Sequence, residues 1–496
     1  MQPKPIRKVC LIQPQQPLPN MLPKEFVVMP RYGVPLMATI LRKKGYDVTL
    51  FVEDIRAINW EILLEADAIG FHALTCAVGR MRRIVEQIRL KSDVPIIVGG
   101  THVTYYPESV LRFCDYVVRQ EGDETMVDLL DALSTGRDPE TVAGITFHRD
   151  GKTIRTPDRP PVENFDTVVD LSTIYGWKEA YTGPGPPWPL MTVQTTRGCP
   201  FSCRFCPVKT MFGAGYRKRS IDSVIEDLRD KLRYGKFVMI VDNLFDADVK
   251  HTTTLLQRII DEGLQARYTI FCRSTIREHR ELLRLMKQAG VMTIFLGIES
   301  LNQEALDSVD KRQQAADTAE TIRVIRRHGI RVLASLIMGF DADTAASLRA
   351  TRRMLEKWRI HQLCIFPLWG AYPHDGELLI PPERMILKDW EYANGNHVCH
   401  FPLRMKPSTL QREMMQTYDE VLSPRESVRD LLAFQRCKAQ WRFMFWKIWR
   451  AARPGILEYI RYLEEIEKGY YDEDEDLLID KLKTRPDLDW VRYHLQ

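Results

Sequence analysis

Three of the ten cysteines stand together in "TTRGCPFSCRFCP", residues 195–207, as Cys199, Cys203 and Cys206 in a CxxxCxxC array that follows a short apolar run. Thiolates bind soft metals, and a structural zinc site takes four nitrogen or sulfur ligands. No histidine or further cysteine flanks the loop on either side, so a fourth ligand would have to come from far along the chain. A four-iron, four-sulfur cluster held by three cysteines keeps one iron open, and an open iron can bind a substrate or cofactor. Most of the other cysteines sit singly in apolar segments, the usage of a reducing cytosol.

The elements that must position this loop are legible as alternating patterns. A chain of 496 residues is too long for one core and divides into two to four domains. Over residues 1–135, β-branched runs ("KVCLIQP", "YDVTLFVE", "ADAIGFHAL", "VPIIVGG", "DYVVRQEG") alternate with helical spacing, which predicts a parallel α/β sheet of Rossmann type. "GVPLMATILRKKG" has the spacing of a helix ending at a Gly45 C-cap. Residues 136–190 read as a linker carrying a hairpin around Asp150-Gly151. Over 191–375 six strand-like runs recur with helical patterns between them, which predicts a partial (β/α)6 barrel of TIM type. The cysteine loop follows its first strand, at the end where barrels place their chemistry. Residues 376–496 read as a helical domain.

Lys+Arg 70 against Asp+Glu 66 leaves no electrostatic footprint for nucleic acid, and no nucleic-acid partner is expected. "MQPKPIRKVCLIQP" lacks the apolar core of a signal peptide, and no apolar run is long enough to span a bilayer. The expected location is cytoplasmic. "QWRFMFWKIWRAARPGILEYI" places Trp441, Phe445, Ile448 and Trp449 over one helical arc, with Arg442, Lys447 and Arg450 elsewhere. It reads either as a helix closing the barrel or as one touching a membrane surface.

On "CPFSCRFC", with Phe205 before the last cysteine, the chain resembles the radical S-adenosylmethionine (SAM) superfamily. The resemblance implies that Cys199, Cys203 and Cys206 hold a 4Fe-4S cluster whose open iron chelates the amino and carboxylate groups of SAM. One electron, from a flavodoxin- or ferredoxin-type donor, would then cleave the sulfonium to a 5′-deoxyadenosyl radical. It implies further SAM contacts at Phe205, at Asp242 and Asn243 in "IVDNLFDAD" (without the family's usual glycine pair), and at Arg273 in "FCRST". Glu299 and Ser300 in "GIES" would join them, as would Gly339 in "LIMGFDADT", where backbone would approach adenine. A salt bridge or a helix cap is the competing reading of the polar positions. "YRKRS" after the loop reads equally as surface charge.

"PRYGVPLMATILRKKGYDVTLF", "IIVGGTHVT" and "DYVVRQEGDET" resemble, in order and spacing, the cobalamin-binding domain that precedes many such barrels. Implied cobalamin contacts are Thr75, Gly99, Gly100, Thr101, His102, Glu121 and Gly122, on loops at strand ends. The DxHxxG motif of many cobalamin domains is absent, which fits base-off binding without a histidine ligand and fits equally a domain that has lost cobalamin. His72, in an apolar strand, reads as a core histidine.

Two other classes compete. A methylthiotransferase carries three cysteines in its first domain, and Cys10, Cys76 and Cys114 invite the comparison, but Cys10 lies inside a strand. An iron-sulfur electron carrier would fill all four iron sites with protein ligands. "NGNHVCHFPLRMKPSTLQREMMQTYDEVLSP" resembles the helical region of the group containing the oxygen-independent cyclase of chlorophyll synthesis and hopanoid methylases, whose substrates are large and hydrophobic. The expectation is a cobalamin-dependent radical SAM C-methyltransferase for an isoprenoid or tetrapyrrole-like small molecule, with oxidative cyclisation as the alternative. No general acid or base is singled out: Tyr372, His374 and Asp375 in "GAYPHDGE" read equally as turn chemistry.

Overall fold

The computed structural model describes residues 5–16, 27–182, 188–213, 215–360, 362–423, 428, 436–472, 477–478 and 482–494. The first sheet contains β1 (Lys8–Gln13), β2 (Asp47–Val52), β3 (Ala68–His72), β4 (Ile96–Gly99), β5 (Tyr116–Val118), β6 (Ile145–Arg149) and β7 (Lys152–Arg155). Its order is β2-β1-β3-β4-β5-β6-β7. β1 to β5 pair in parallel, with Leu11 opposite Gly70 and Gly70 opposite Ile97. The expected hairpin at Asp150-Gly151 forms, and β6 pairs antiparallel to β5 through Val118 and Ile145. It therefore extends the first sheet instead of standing alone between domains. Helices α1 (Gly33–Lys43), α2 (Val78–Arg89) and α3 (Thr125–Thr135) cover this sheet. α1 buries Val34, Leu36, Ala38 and Leu41. The strand order reverses between β1 and β3, so the crevice at their C-terminal ends is the place where open α/β sheets bind ligands.

The second sheet is built from six parallel strands in sequential order. They are β8 (Met191–Val193), then, after a hairpin of β9 (Thr196–Cys199) and β10 (Gly215–Lys218), β11 (Phe237–Ile240), β12 (Arg267–Cys272), β13 (Val291–Glu299), β14 (Arg331–Met338) and β15 (Gln362–Pro367). The connecting helices are α4 (Ile221–Lys231), α5 (Val249–Asp261), α6 (Arg280–Ala289), α7 (Thr318–Arg327) and α8 (Ala345–Lys357). Alternate residues divide the two faces of the sheet. Val193, Ile240, Ile270, Leu296, Ala334 and Ile365 share a buried core with Val224, Leu255, Leu283, Ile325 and Leu355 of the helices. The opposite, inner face carries Thr192, Met239, Phe271, Phe295, Leu333 and Phe366, which stay half-buried or exposed. The first and last strands do not pair with each other, which makes this an open, partial (β/α)6 barrel.

The C-terminal part is helical, with α9 (Pro407–Val421) against α8 and β15 and α10 (Arg436–Ile466) against α9. Tyr418 completes the last strand: its hydroxyl accepts from Ile365 N–H at 2.7 Å and donates to the Ile365 carbonyl at 3.2 Å. Trp449 of α10 is buried against this helix, its Nε1–H on Asp419 Oδ1 at 2.7 Å and its ring 4.7 Å from that of Tyr418. The side chains of Trp441, Arg442, Phe445 and Ile448 lie outside the described residues, while Lys447 and Arg450 are exposed. Among the described residues no helix is long and apolar enough to cross a membrane.

Candidate active site

β9 and β10 form the stem from which the cysteine loop hangs, with Thr196 opposite Lys218 and Cys199 opposite Gly215. Gly198 makes this stem possible. Its φ is +84°, and a Cβ there would lie 2.1 Å from the Gly215 carbonyl oxygen, so any side chain would push the strands apart. Asp242 and Asn243, at the end of β11, hold the same stem. Asp242 Oδ1 accepts from the N–H groups of Thr195 (2.6 Å) and Thr196 (3.0 Å), Oδ2 accepts from Thr195 Oγ1, and Asn243 Oδ1 accepts from Gly198 N–H (3.1 Å). Asp242 is buried, which lifts its pKa to about 6. Both residues, expected to meet SAM, have these oxygens occupied by the stem, so their visible work is to place Cys199.

The loop closes on itself through Cys206 N–H to Cys203 C=O (3.0 Å) and on the barrel through Arg204 N–H to Val309 C=O (3.0 Å). Two cations stand over it. Arg273 sits 3.9 Å from the Phe201 ring centroid, donates to Cys203 Sγ at 3.7 Å, and is anchored by the carbonyls of Lys311 and Arg312. Lys311 Nζ pairs with Glu299 Oε1 at 2.8 Å, with both side chains buried, and lies 5.8 Å from the Phe205 ring centroid. The pair folds back over Gly297, where a Cβ would lie 2.7 Å from Glu299 Oε1. Glu299 has φ +62°, next to a register shift at the end of β13. Ser300 Oγ accepts from Asn302 N–H at 3.0 Å, the cap-like alternative raised for it.

Burial raises the Cys199 thiol pKa and pushes that of Cys206 up to about 12, while Lys311, and for Cys199 Arg273 as well, pull the other way. Among the described residues no three His, Cys, Asp or Glu side chains converge on a single-ion site. Three cysteines in one loop with two cations over it fit a polynuclear cluster, whose positive core would compensate the partly buried thiolates.

Gly339 has a different reason for being glycine from the one expected. At φ +96°, a Cβ would meet Leu410 Cδ2 at 2.5 Å and His400 Cε1 at 3.0 Å, so the bare side faces the C-terminal domain. His400 is fully buried and its Nε2–H donates to the Gly339 carbonyl at 2.9 Å.

A cavity of about 380 Å³ joins the two sheets. Gly99, Gly100, Thr101, Glu121 and Gly122 form its wall on the first domain, and Gln194, Arg197 and Phe212 face them from the barrel. Its size is near the lower end of ligand sites, about 300–1,000 Å³, so it suits one arm of a corrinoid rather than the whole. Gly70 keeps the deep end thin, since a Cβ there would lie 2.5 Å from Leu11 Cδ2.

Thr75 and His102 are not on the cavity wall. Thr75 Oγ1 shares hydrogen bonds with Tyr372 OH (2.7 Å) and His102 Nδ1 (3.2 Å), and His102 Nε2 meets Ser109 Oγ (2.9 Å). Both His102 nitrogens are engaged in a buried seam with Trp390, because a buried ring must satisfy its polar atoms locally. His72 is the reverse: it lines the cavity, and its Nδ1 is buried without a partner. Burial and the nearby Arg31 push its pKa down to about 3.

In "YRKRS" Lys218 is surface charge, on Asp248 at 2.8 Å, but the two arginines are not. Arg217 donates to Glu121 Oε1 at 2.7 Å and Oε2 at 3.0 Å, and Arg219 is buried against Asp227 at 2.9 Å. Arg197 pairs with Asp123 at 2.9 Å and lies 3.4 Å from Glu121. Both strands of the cluster stem are thereby tied to the loop after β5. Sequence reasoning also missed Lys311, and Asp246, a buried carboxyl beside Arg273 whose pKa burial lifts to about 7. The acid-rich run "DNLFDAD" is the one signal for the latter.

The family model of the radical SAM superfamily matches residues 193–355, and that of the B12 binding domain matches residues 27–130. An uncharacterised methyltransferase of Pyrococcus horikoshii is 30% identical over 382 residues, covering 74% of this chain and 79% of that protein. An anaerobic magnesium-protoporphyrin IX monomethyl ester cyclase of Rubrivivax gelatinosus is 28% identical, over 66% of this chain and 62% of its own length. A hopanoid C-3 methylase of Methylococcus capsulatus is 27% identical, over 81% and 78%. The fold is shared with the radical SAM methyltransferase TsrM of Kitasatospora setae, solved with cobalamin and a [4Fe-4S] cluster (TM-score 0.65, 17% identity, 91% of this chain and 100% of that one). With an open six-stranded barrel carrying three cysteines and a doubly wound domain beside it, this chain belongs to the radical SAM superfamily, in the group with a B12-binding domain, and is an enzyme whose cofactors are a 4Fe-4S cluster, SAM and cobalamin.

Proposed function

We propose that this enzyme methylates an unactivated carbon of a hydrophobic, isoprenoid or tetrapyrrole-like molecule. The observation that carries the reading is the inner face of the barrel sheet. There Met239, Phe271, Phe295 and Leu333 are half-buried and Phe366 is 38% exposed, with the Phe271 and Phe295 rings 4.8 Å apart. TIM barrels ordinarily pack this space with side chains, and an apolar surface left open beside a reactive centre is a site for an apolar ligand. The hopanoid methylase and cyclase relatives support the same substrate class.

In this reading Cys199, Cys203 and Cys206 hold the cluster. Phe205, Arg273, Lys311, Glu299 and Ser300 form the SAM side of the pocket, and Asp242, Asn243 and Gly339 hold its supports in place. Gly99, Gly100, Thr101, Glu121 and Gly122 face cobalamin, while Thr75 and His102 stiffen the seam behind them. When bound, the cofactors supply SAM cleavage and methyl transfer, with an electron from a flavodoxin- or ferredoxin-type donor. The chain's own groups orient them and exclude water. Cys10, Cys76 and Cys114 are buried in the apolar core of the first domain, with the Cys10 thiol on the Ile62 carbonyl at 3.8 Å, so they read as core residues rather than ligands of a second, methylthiotransferase-like cluster.

The test is an anaerobic assay with SAM labelled in its methyl group and extracted isoprenoid and tetrapyrrole fractions as substrates. Label in the product supports methylation. SAM cleavage with an unlabelled, ring-closed product would replace it with the oxidative cyclisation that the cyclase relative favours. Alanine in place of any of the three cysteines is expected to abolish SAM cleavage. Cleavage retained in the triple variant would overturn the cluster assignment.

A further inference from the structure

Two arginines line the cavity between the domains, and only one is neutralised. Arg197 is paired with Asp123 and Glu121. Arg31 donates its backbone N–H to Gln13 Oε1 at 2.8 Å, but its guanidinium makes no ion pair among the described residues, and its Nη1 is buried without a hydrogen-bond partner. Asp54 is close enough to be felt electrostatically and too far for an ion pair, and burial lowers the arginine's pKa. Arg31 as a whole is half-buried, but a guanidinium nitrogen shut off from water with no partner and no counter-charge is costly. Such an arrangement persists where a ligand brings the anion.

The surroundings agree. Arg31 precedes α1, whose first turn carries no acidic residue and whose N-cap, Tyr32, makes no side-chain cap. The positive end of that helix therefore adds to the field at the same mouth. Across the cavity Gly99, Gly100 and Gly122 present no side-chain charge. The acids on the wall, Glu121 and Asp123, are already paired with Arg197 and Arg217.

Cobalamin offers one match. Its corrin side chains are neutral amides, and the only anion of its organic framework is the phosphodiester joining the corrin arm to the nucleotide. We infer that Arg31 pairs with this phosphodiester and makes the protein selective for corrinoids that carry a phosphate over those that lack one. The inference rests on the cavity being the corrinoid site.

The full-length chain, purified anaerobically from cells grown without corrinoid, is titrated with hydroxocobalamin, cobinamide phosphate and cobinamide, following the corrin absorbance. The wild type is expected to bind the two phosphate-bearing forms about tenfold or more tighter than cobinamide, the scale of one charge-assisted contact. Arg31→Gln is expected to bind cobinamide phosphate and cobinamide alike, and Arg31→Lys to keep part of the preference. A wild type without preference for phosphate overturns the inference, as does an R31Q variant that keeps the preference whole. Should R31Q fail to fold, judged by its melting curve, the wild-type comparison and R31K still decide. A wild type that binds no corrinoid would overturn the cavity assignment and the Arg31 inference together. Cobalamin binding with an unchanged R31Q preference would remove the inference alone.

Discussion

Gly198 shows how much of the active site depends on an atom that is missing. The Gly215 carbonyl occupies the space of its absent Cβ, and Cys199 is the next residue. Gly198→Ala is therefore expected to fold but to assemble its cluster poorly, with iron and labile sulfide per chain at less than half the wild-type level after reconstitution, on the order of the loss that a strained positive-φ residue brings. Wild-type loading in the variant would count against the stem as the cysteine positioner. His400 makes a pH-dependent contribution. Its pKa is lowered from 6.5 to about 4 by burial, so the folded state resists a proton that the unfolded chain accepts. Its stabilising contribution is complete above pH 6.5 and is lost as pH falls through 4, on the order of 3 kcal/mol in all. His400→Gln keeps a donor for Gly339 and cannot titrate, so its melting temperature should fall less than that of the wild type between pH 6.5 and pH 4. Parallel curves would refute this.

At the scale of elements, periodicity and position carry most of the information. The five parallel strands of the first sheet are legible because their β-branched runs bury on both faces, and the six barrel strands because apolar runs recur with helical spacing between them. The cysteine loop is legible because its three ligands are close in sequence. The ion network is not: Arg217 and Glu121 are 96 residues apart, and a charged "YRKRS" has the composition of a surface strand until its partners are known. Asp242 and Asn243 are legible as site residues but not as supports, because hydrogen bonds to the backbone of Thr195, Thr196 and Gly198 depend on how two strands lie side by side. Thr75 and His102 stand on the expected strand-end loops, yet a seam to Tyr372, far along the chain, withdraws them from the cavity.

At the scale of the molecule, the two domains are joined by charge as well as by apolar contact. Glu121 receives Arg197 and Arg217, one from each strand of the cluster stem, and all three are mostly buried. Removing one partner of a buried charge pair costs about 3–5 kcal/mol. Glu121→Gln should accordingly uncouple the domains, and calorimetry is expected to resolve a lower-melting transition that the wild type lacks. A single transition at the wild-type temperature would show that apolar contact alone joins them.

The open barrel has a further consequence at its last strand. Tyr418 gives Ile365 one hydroxyl that serves both its N–H and its carbonyl, so α9 acts there as a substitute for the strand that a closed barrel would have supplied. The helical C-terminal region is thus also a guard against misassociation. A chain cut short before Pro407 would present an unsatisfied edge, and such edges recruit their own kind.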